Sequence, residues 1–381
     1  MFQKIQSLVV EVWQQLDWVL FFCILPIVFA GLITMNAFVG NNYFFNKQII
    51  SFVITLVIFF VLSFVDFRFL RRTSVIVTLF LISCGLLLTL FVLGHTAKGA
   101  QSWFKFGSFA LEPGDPIKLV VILLLAKYFS RRHIEIANIR HIFVSGFYAL
   151  IIFVLIFLQP DFGSAIIIFC IWFGMIFVSG ISRKHIITVL MIAALIFAGA
   201  WLYILKPYQK DRIVNFIHPM ANIRGSGYNA YQSTVAVGSG QIIGKGIGYG
   251  TQSRLNFLPE YQTDFIFAAF AEEWGFVGAL FIILLMSILI WRILVNALGG
   301  ATNFEMLYGI GLAVFFASHF IINIGMNIGI LPVTGIAVPF MSYGGTHLMT
   351  EFIGLGILMG MRRYRKVAGL TPGASDIVGV G

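Results

Sequence analysis

Charge is scarce in this chain. Charged side chains make up 10% of its 381 residues, 15 acidic against 25 basic, whereas a soluble globular domain carries about 25%. Hydrophobic residues reach 59% and mean hydropathy is +0.96, which excludes a soluble globule. Cysteine is equally sparse: Cys23, Cys84 and Cys170 all sit in apolar runs, so neither a disulfide framework nor a metal-ligand spacing is visible. The opening MFQKIQSLVVEVWQQLDW has no small-residue cleavage site, and the first apolar run is therefore expected to be retained. A phosphate-binding P-loop is missing as well. The pattern GxxxxGK[ST] around Lys245 would require Gly at Ser239 and a hydroxyl residue at Gly246. The net charge of +10 does not point to nucleic acid, because the basic residues form short clusters between apolar runs instead of one continuous face.

What is present is a succession of apolar runs near the ~20 residues that a bilayer crossing requires. Ten fall near 17–39, 48–66, 74–93, 115–129, 141–158, 163–180, 186–205, 265–292, 305–328 and 343–361. The expected fold is all-α: a polytopic integral membrane protein of about ten transmembrane helices, with a large extracytoplasmic loop, 206–264, between spans 7 and 8. Residues 1–369 read as one transmembrane domain and 370–381 as a flexible tail. Arg68, Arg71 and Arg72, then Arg131, Arg132 and Arg140, then Arg183 and Lys184, then Arg292, and finally Arg362, Arg363, Arg365 and Lys366 fall on alternate joints. The positive-inside rule then puts both termini in the cytoplasm.

The joints on the opposite face hold the polar chemistry. LPEYQTDFIFAAFAEEWGFVG, residues 258–278, passes from a polar loop into an apolar helix and carries Asp264, Glu272 and Glu273. A charge at bilayer depth costs roughly 2.5–3.5 kcal/mol on insertion scales, so these carboxylates require water, a partner or a function. Asp264 is the candidate for chemistry; the competing reading is that Thr263 and Asp264 only cap the helix. In the first outer joint, Trp103 with Lys98 and Lys105 reads either as an interfacial anchor or as a substrate contact, followed by Glu112, Asp115 and Lys118. Lys118 either snorkels outward or pairs with Asp115 inside a polar cavity. Asp161, in QPDFGSA, caps a tight turn or faces the same cavity. The glycine-rich GSGYNAYQSTVAVGSGQIIGKGIGYG reads as a mobile loop, preceded by an interfacial helix at KPYQKDRIVNFIHP. Lys245 and Arg254 suit an anionic headgroup. NIGMNIGILPVTGIAVPFMSYGGTHL, broken by Pro332, Pro339 and Gly344–Gly345, is expected to wall the cavity, with Ser342 among its lining. His347 and Glu351 read as a satisfied pair on one helical face rather than as metal ligands.

LPEYQTDFIFAAFAEEWGFVG, NIGMNIGILPVTGIAVPFMSYGG, QPDFGSA and GAQSWFKFG, in this order and with ten spans, resemble the RodA/FtsW (SEDS) family of bacterial cell-wall proteins. The resemblance covers nearly the whole chain and lies closer to the elongation branch than to the division branch. Two departures stand out: Gln262 occupies the usual His position before Thr-Asp-Phe, and GDPIK replaces Ser-Glu-x-x-Lys, giving Asp115 a shorter carboxylate. The resemblance implies a peptidoglycan glycosyltransferase that polymerises lipid II, the undecaprenyl-diphosphate disaccharide pentapeptide, on the outer face of the bacterial cytoplasmic membrane. It makes Asp264 the essential aspartate and Trp103 and Lys118 functional positions. It also implies a class B penicillin-binding protein and elongation-complex membrane proteins as partners. The chemistry requires a base for the acceptor hydroxyl and positive charge for the departing diphosphate, from Lys98, Lys105, Lys245, Arg254 or a divalent ion such as Mg or Mn. A flippase for the same lipid and a non-catalytic scaffold remain open, since a polar cavity serves a translocation path equally well.

Overall fold

The computed structural model describes residues 16–36, 43–97, 100–107, 109–130, 139–180, 182–218, 225–255 and 257–367. Inside a bilayer every backbone N–H and C=O must be satisfied within the chain, so the apolar runs form helices. Ten long helices stand where the ten spans were expected. They are α1 (Trp18–Asn36), α2 (Tyr43–Ser63), α3 (Thr73–Leu93), α4 (Gly114–Ser130), α5 (Ile139–Leu158), α6 (Phe162–Val178), α7 (Arg183–Tyr203), α10 (Ile266–Leu298), α11 (Asn303–Asn327) and α12 (Gly345–Val367). Seven of them are long and apolar enough to cross a membrane by themselves; α6 is apolar but stops at 17 residues, α4 is equally short and carries Asp115, Lys118 and Lys127, and α12, at 23 residues, is long enough but carries Glu351 and a basic end. The tail 370–381 lies outside the described residues.

Helix α11 is the hub. It packs against α10, α4 and α6, while α12 runs along α2 and α10 along α1. An aromatic ladder binds these layers, with ring centroids 5.2 Å apart for Phe316 and Phe340, 5.4 Å for Phe340 and Phe352, and 6.0 Å for Phe352 and Phe59. Such offset and edge contacts each contribute about 0.5–1.5 kcal/mol beyond their burial. Ion pairs tie the helix ends remote from the candidate residues. Arg292 holds Asp17 at 2.6 Å, with Asn296 donating to the same carboxylate at 2.7 Å, and Arg71 pairs with Glu305.

Two joints differ from expectation. The first outer joint contains a small antiparallel sheet, β1 (His95–Ala97), β2 (Ala100–Phe106) and β3 (Phe109–Leu111), in the order β1-β2-β3. Its cause is local: the run AQSWFKF has the aromatic and alternating character of a strand, and Gly107, at φ +59°, permits the reversal into β3. Between spans 7 and 8, the glycine-rich segment is built rather than loose. After the interfacial α8 (Pro207–Ile217) comes α9 (Tyr228–Ser239), and then a chain of turns over 240–250 fastened to α10. Helix α10 breaks at Gly275 (φ +67°, ψ −166°). The polar groups exposed by that break are taken by the turns: the Lys245 and Gly246 N–H groups donate to the carbonyls of Glu272 and Glu273 at 3.0 Å. In return Phe276 and Val277 donate to the carbonyls of Gln241 and Ile242, at 2.8 and 3.1 Å. Irregular backbone at membrane depth is tolerable only with such partners.

Candidate active site

Asp264 lies on the turn that leads into α10, half-buried, and its chain is gripped from two sides. From α11, Asn323 Nδ2 donates to the Asp264 carbonyl at 2.9 Å and to the Ile336 carbonyl at 2.6 Å. Asn327 Nδ2 adds a bond to the Asp264 carbonyl at 3.2 Å, and Asn327 Oδ1 accepts the Ala268 N–H at 3.2 Å. From the segment before α12, Ser342 Oγ donates to the Thr263 carbonyl at 2.7 Å and the Tyr343 N–H to the Gln262 carbonyl at 2.9 Å. Gln48 of α2 locks that segment in turn, donating to the Ser342 carbonyl at 3.0 Å and accepting the Gly344 N–H at 3.2 Å. The residue flanking the start of α10 is Phe265, which makes no side-chain cap, and the first turn is capped across the bundle by Asn327. Gly335, at φ +78°, brings backbone close to the carboxylate: a Cβ there would lie 3.6 Å from Asp264 Oδ2.

A second cluster spans α4 and α12. Lys118 Nζ donates to Asp115 Oδ1 at 2.8 Å, and both side chains are almost fully enclosed, at 3% and 6% exposure. Lys118 is thus an internal pair member, not a snorkelling anchor. His347 Nδ1 lies 3.3 Å from the same Asp115 oxygen, and its Nε2 lies 3.0 Å from Glu351 Oε1. Glu351 Oε2 accepts the N–H of Phe340 at 2.9 Å. His347 and Glu351 stand at ion-pair distance on one helical face but without hydrogen-bond geometry between Nε2 and Oε1, so the pair is not the self-satisfied one expected, and with Asp115 and Lys118 it forms a four-member chain. Phe340 has φ +62°, a left-handed conformation that costs a bulky residue roughly 1–2 kcal/mol and persists only where contacts fix it. Just outside α4, Glu112 faces the same cluster. Burial, then the nearby Asp115 and Asp161 carboxylates, push its carboxyl well above the ordinary range, against the pull of Lys118 and His347.

The remaining candidates are distributed around these two groups. Asp161 caps α6, accepting the Ser164 N–H at 3.0 Å, and its charge also bears on Glu112. Trp103 is half-buried in β2 opposite His95, and the Gln101 N–H ties that strand to the Gln159 carbonyl at 3.2 Å. Lys105 and Arg254 are exposed. Lys98 lies outside the described residues. Lys245 reaches Glu272 Oε1 at 2.7 Å, and that buried carboxylate also accepts from Thr251 and the Gln252 N–H. Glu273 Oε1 accepts the Gly248 N–H at 2.9 Å. Glu272 and Glu273 consequently fasten the 240–255 turns onto α10. No three His, Cys, Asp or Glu side chains among the described residues gather into a metal-holding group. An apolar recess of about 430 Å³ between α1 and α2, lined by Phe29, Leu32, Phe45, Ile49 and, from the turns, Ile247, opens to the surface.

Sequence reading passed over Gln48, Asn323, Asn327 and His319. The signal for the asparagines was available in NIGMNIG, where two amides four residues apart face one side of an otherwise apolar helix and require partners.

Comparison with known proteins places this arrangement. The structure superimposes on a chain of a peptidoglycan synthase complex that coordinates polymerization and crosslinking with a TM-score of 0.79 and 29% identity, covering 92% of this chain and 98% of that one. It also matches the rod shape determining protein RodA of Thermus thermophilus, with a TM-score of 0.69 and 26% identity over 92% of this chain and 97% of that one. In sequence it is 35% identical over 332 residues to stage V sporulation protein E of Bacillus subtilis, 86% of this chain and 89% of the relative. It is 35% identical over 292 residues to the peptidoglycan glycosyltransferase MrdB of Escherichia coli, 76% of this chain and 78% of the relative. The model of the FtsW/RodA/SpoVE family, described as cell cycle protein, matches residues 10–367, and the chain belongs to that family.

Proposed function

We propose that this protein is a peptidoglycan glycosyltransferase that polymerises lipid II at the outer face of the bacterial cytoplasmic membrane during cell elongation and shape maintenance. The observation that carries the reading is the double clamp on the Asp264 turn. Asn323, Asn327, Ser342 and the Tyr343 amide, with Gln48 behind them, are committed to the backbone around one carboxylate. Such fixing of the backbone that carries a single acidic side chain suits a general base that must meet an acceptor hydroxyl within hydrogen-bond reach.

In this proposal Asp264 takes the proton from the acceptor sugar hydroxyl as its oxygen bonds to the anomeric carbon of the donor. The bond from that carbon to the diphosphate oxygen breaks, and inversion follows from attack opposite the leaving group. The departing diphosphate needs positive charge rather than a proton donor. Lys105 and Arg254, both exposed on this face, are assigned that role, with Lys98 completing the basic set. Lys118 positions the cavity through Asp115, and Trp103 offers a ring face to the sugars. A divalent ion would have to enter with the substrate's own diphosphate oxygens, and no step depends on one here. The apolar recess between α1 and α2 suits part of an isoprenoid tail. Both termini lie in the cytoplasm, and a class B penicillin-binding protein acts as the partner transpeptidase. Support for the partner is the likeness to a synthase complex that couples polymerization with crosslinking.

The decisive experiment gives purified protein labelled lipid II in detergent, where no membrane separates two sides. A polymerase yields glycan chains that Asp264→Asn abolishes. Absence of product from a folded wild-type protein with its transpeptidase partner present would refute the reading and leave the transporter or scaffold.

A further inference from the structure

The chain Lys118–Asp115–His347–Glu351 has a feature that the transfer chemistry leaves unused. Each nitrogen of His347 faces a carboxylate oxygen, Asp115 Oδ1 at 3.3 Å and Glu351 Oε1 at 3.0 Å. Two carboxylate neighbours favour the imidazolium, which bonds Asp115 through Nδ1 and stands at ion-pair distance from Glu351, where the Nε2–Oε1 contact is out of line for a hydrogen bond. The surrounding groups complete the balance. Lys118 supplies the second cation on α4, Glu112 adds a carboxyl pushed up by burial outside it, and the His319 ring of α11 lies against His347 with centroids 4.8 Å apart.

The far end of this chain reaches the Asp264 turn through backbone. Glu351 holds the N–H of Phe340, whose left-handed conformation turns the segment. Two residues on, Ser342 Oγ accepts the Val338 N–H at 2.8 Å and donates to the Thr263 carbonyl at 2.7 Å, next to Asp264. On the inner side of the same segment, His319 Nδ1 lies 3.4 Å from the Ala337 carbonyl. Displacing Glu351 therefore releases the strained Phe340 link, and with it the hydroxyl that fixes Thr263.

We propose that His347 is a positioning residue for the transfer reaction: as an imidazolium bridging Asp115 and Glu351 it joins α4 to α12 and, through Glu351, Phe340 and Ser342, sets the placement of Asp264. This rests on the polymerase reading of the same site. His347 touches neither substrate nor reacting atoms; it acts by keeping Glu351 aimed at the Phe340 amide instead of letting an unpaired buried carboxylate seek water.

The test compares wild type, His347→Gln, Glu351→Gln and the double variant as full-length proteins with labelled lipid II in detergent, alongside hydrogen exchange of the 258–265 segment. His347→Gln leaves Glu351 charged and without its cation, so kcat should fall at least tenfold with KM within twofold of wild type. Exchange at the Thr263 and Phe265 amides, both bonded to the Glu260 carbonyl, should rise at least tenfold. In the double variant both charges are gone, and the amide oxygen introduced at position 351 still accepts the Phe340 N–H. It should recover at least threefold over His347→Gln while staying below wild type. A folded His347→Gln with kcat within twofold of wild type, a loss confined to KM, or effects of the two single changes that simply multiply would each overturn the proposal. Should His347→Gln not fold, a double variant with full wild-type kcat and unchanged exchange would overturn it. An inactive wild type would sink the polymerase reading itself, whereas unchanged exchange in the variants sinks the positioning role alone.

Discussion

Replacing Lys118 by Met tests how much of the α4–α12 junction rests on one buried charge. Met keeps the apolar stem and removes only the ammonium that sits 2.8 Å from Asp115 Oδ1. Removing one partner of a truly buried pair costs about 3–5 kcal/mol, since the other charge stays behind unpaired. Asp115 keeps one cationic neighbour, His347, at 3.3 Å, so the lower end applies, about 3 kcal/mol. With a conversion of about 2 °C per kcal/mol for a long chain, the melting temperature should fall by roughly 6 °C. Lys118→Arg should also fall short, because a planar fork does not fit where a compact ammonium sits between helix turns. The check is thermal unfolding in detergent, with Lys118→Met, Asp115→Asn and the double variant run as a cycle. The double variant should be more stable than Lys118→Met by about 1–2 kcal/mol, since no buried anion is left over on α4. Glycan synthesis should fall with Lys118→Met by more than the folded fraction accounts for. If Lys118→Met and Lys118→Arg both melt within a degree of wild type and polymerise normally, the pair does not hold this junction and the argument from its burial is wrong.

Asp264→Asn should leave the melting temperature within about 2 °C, because the first turn of α10 is capped by Asn327, while polymerisation drops by about 10²–10⁴ as for loss of a general base; retained activity would end that assignment. Asn327→Ala removes bonds to Asp264, Ala268 and Asn323 and should destabilise by about 2–4 kcal/mol, measured by chemical or thermal unfolding. Gly275→Ala should prevent folding or cost more than about 3 kcal/mol, because a Cβ there meets Gly244 N at 2.3 Å and Ile242 O at 2.6 Å in a backbone region that L residues avoid. Glu112 has a carboxyl raised by burial, so its contribution to stability is present at low pH and lost as pH rises through the raised value; Glu112→Gln should flatten the alkaline side of a melting-temperature profile and leave the acid side alone. A cysteine at Ser239 should react with an impermeant thiol reagent applied to intact cells and one at Ser182 should not; the reverse would invert the topology.

The fold was legible wherever a single physical demand ruled the residues. A helix crossing lipid has to be apolar along its length, so run length bounded the ten spans closely, α4 and α6 included, and missed mainly the start of α2 at Tyr43 and the ends of α10 at Leu298 and α12 at Val367, where polar residues continue the helix. The pair Lys118–Asp115 was readable for the same reason, since a charge three residues from its opposite on a buried face has few other options. The β meander at 95–111 was missed because its strands are three to seven residues long, too short for alternation to stand out from a loop. The built character of the 240–255 turns was hidden because their partners are backbone groups of α10, exposed only by the break at Gly275. A glycine-rich composition describes what the chain permits locally and says nothing about a long-range partner. Lys245 illustrates this: its sequence context fits anion capture, and the fold gives its charge to Glu272.

The distribution of polar groups bears on the choice between polymerase and flippase. Translocating a diphosphate-linked sugar across a bilayer requires polar surface from one side to the other, because each unsatisfied polar group in hydrocarbon costs several kcal/mol. Among the described residues, two sets of ion pairs lie at opposite ends of the helices, apart from Glu272 and Glu273, which hold the 240–255 turns. One holds Lys118, Asp115, His347, Glu351 and the Asp264 turn; the other holds Asp17 with Arg292 and Arg71 with Glu305. Between them Leu312, Phe315 and Phe316 of α11, Leu355 of α12 and Ile122 of α4 are all fully buried in one apolar cluster. Tyr308, the polar residue in that layer of α11, is spent on the Gly354 carbonyl at 2.9 Å. An apolar middle layer among the described residues, with the Asp264 turn held firmly at one face, favours the polymerase reading over a path that passes a polar headgroup through the centre.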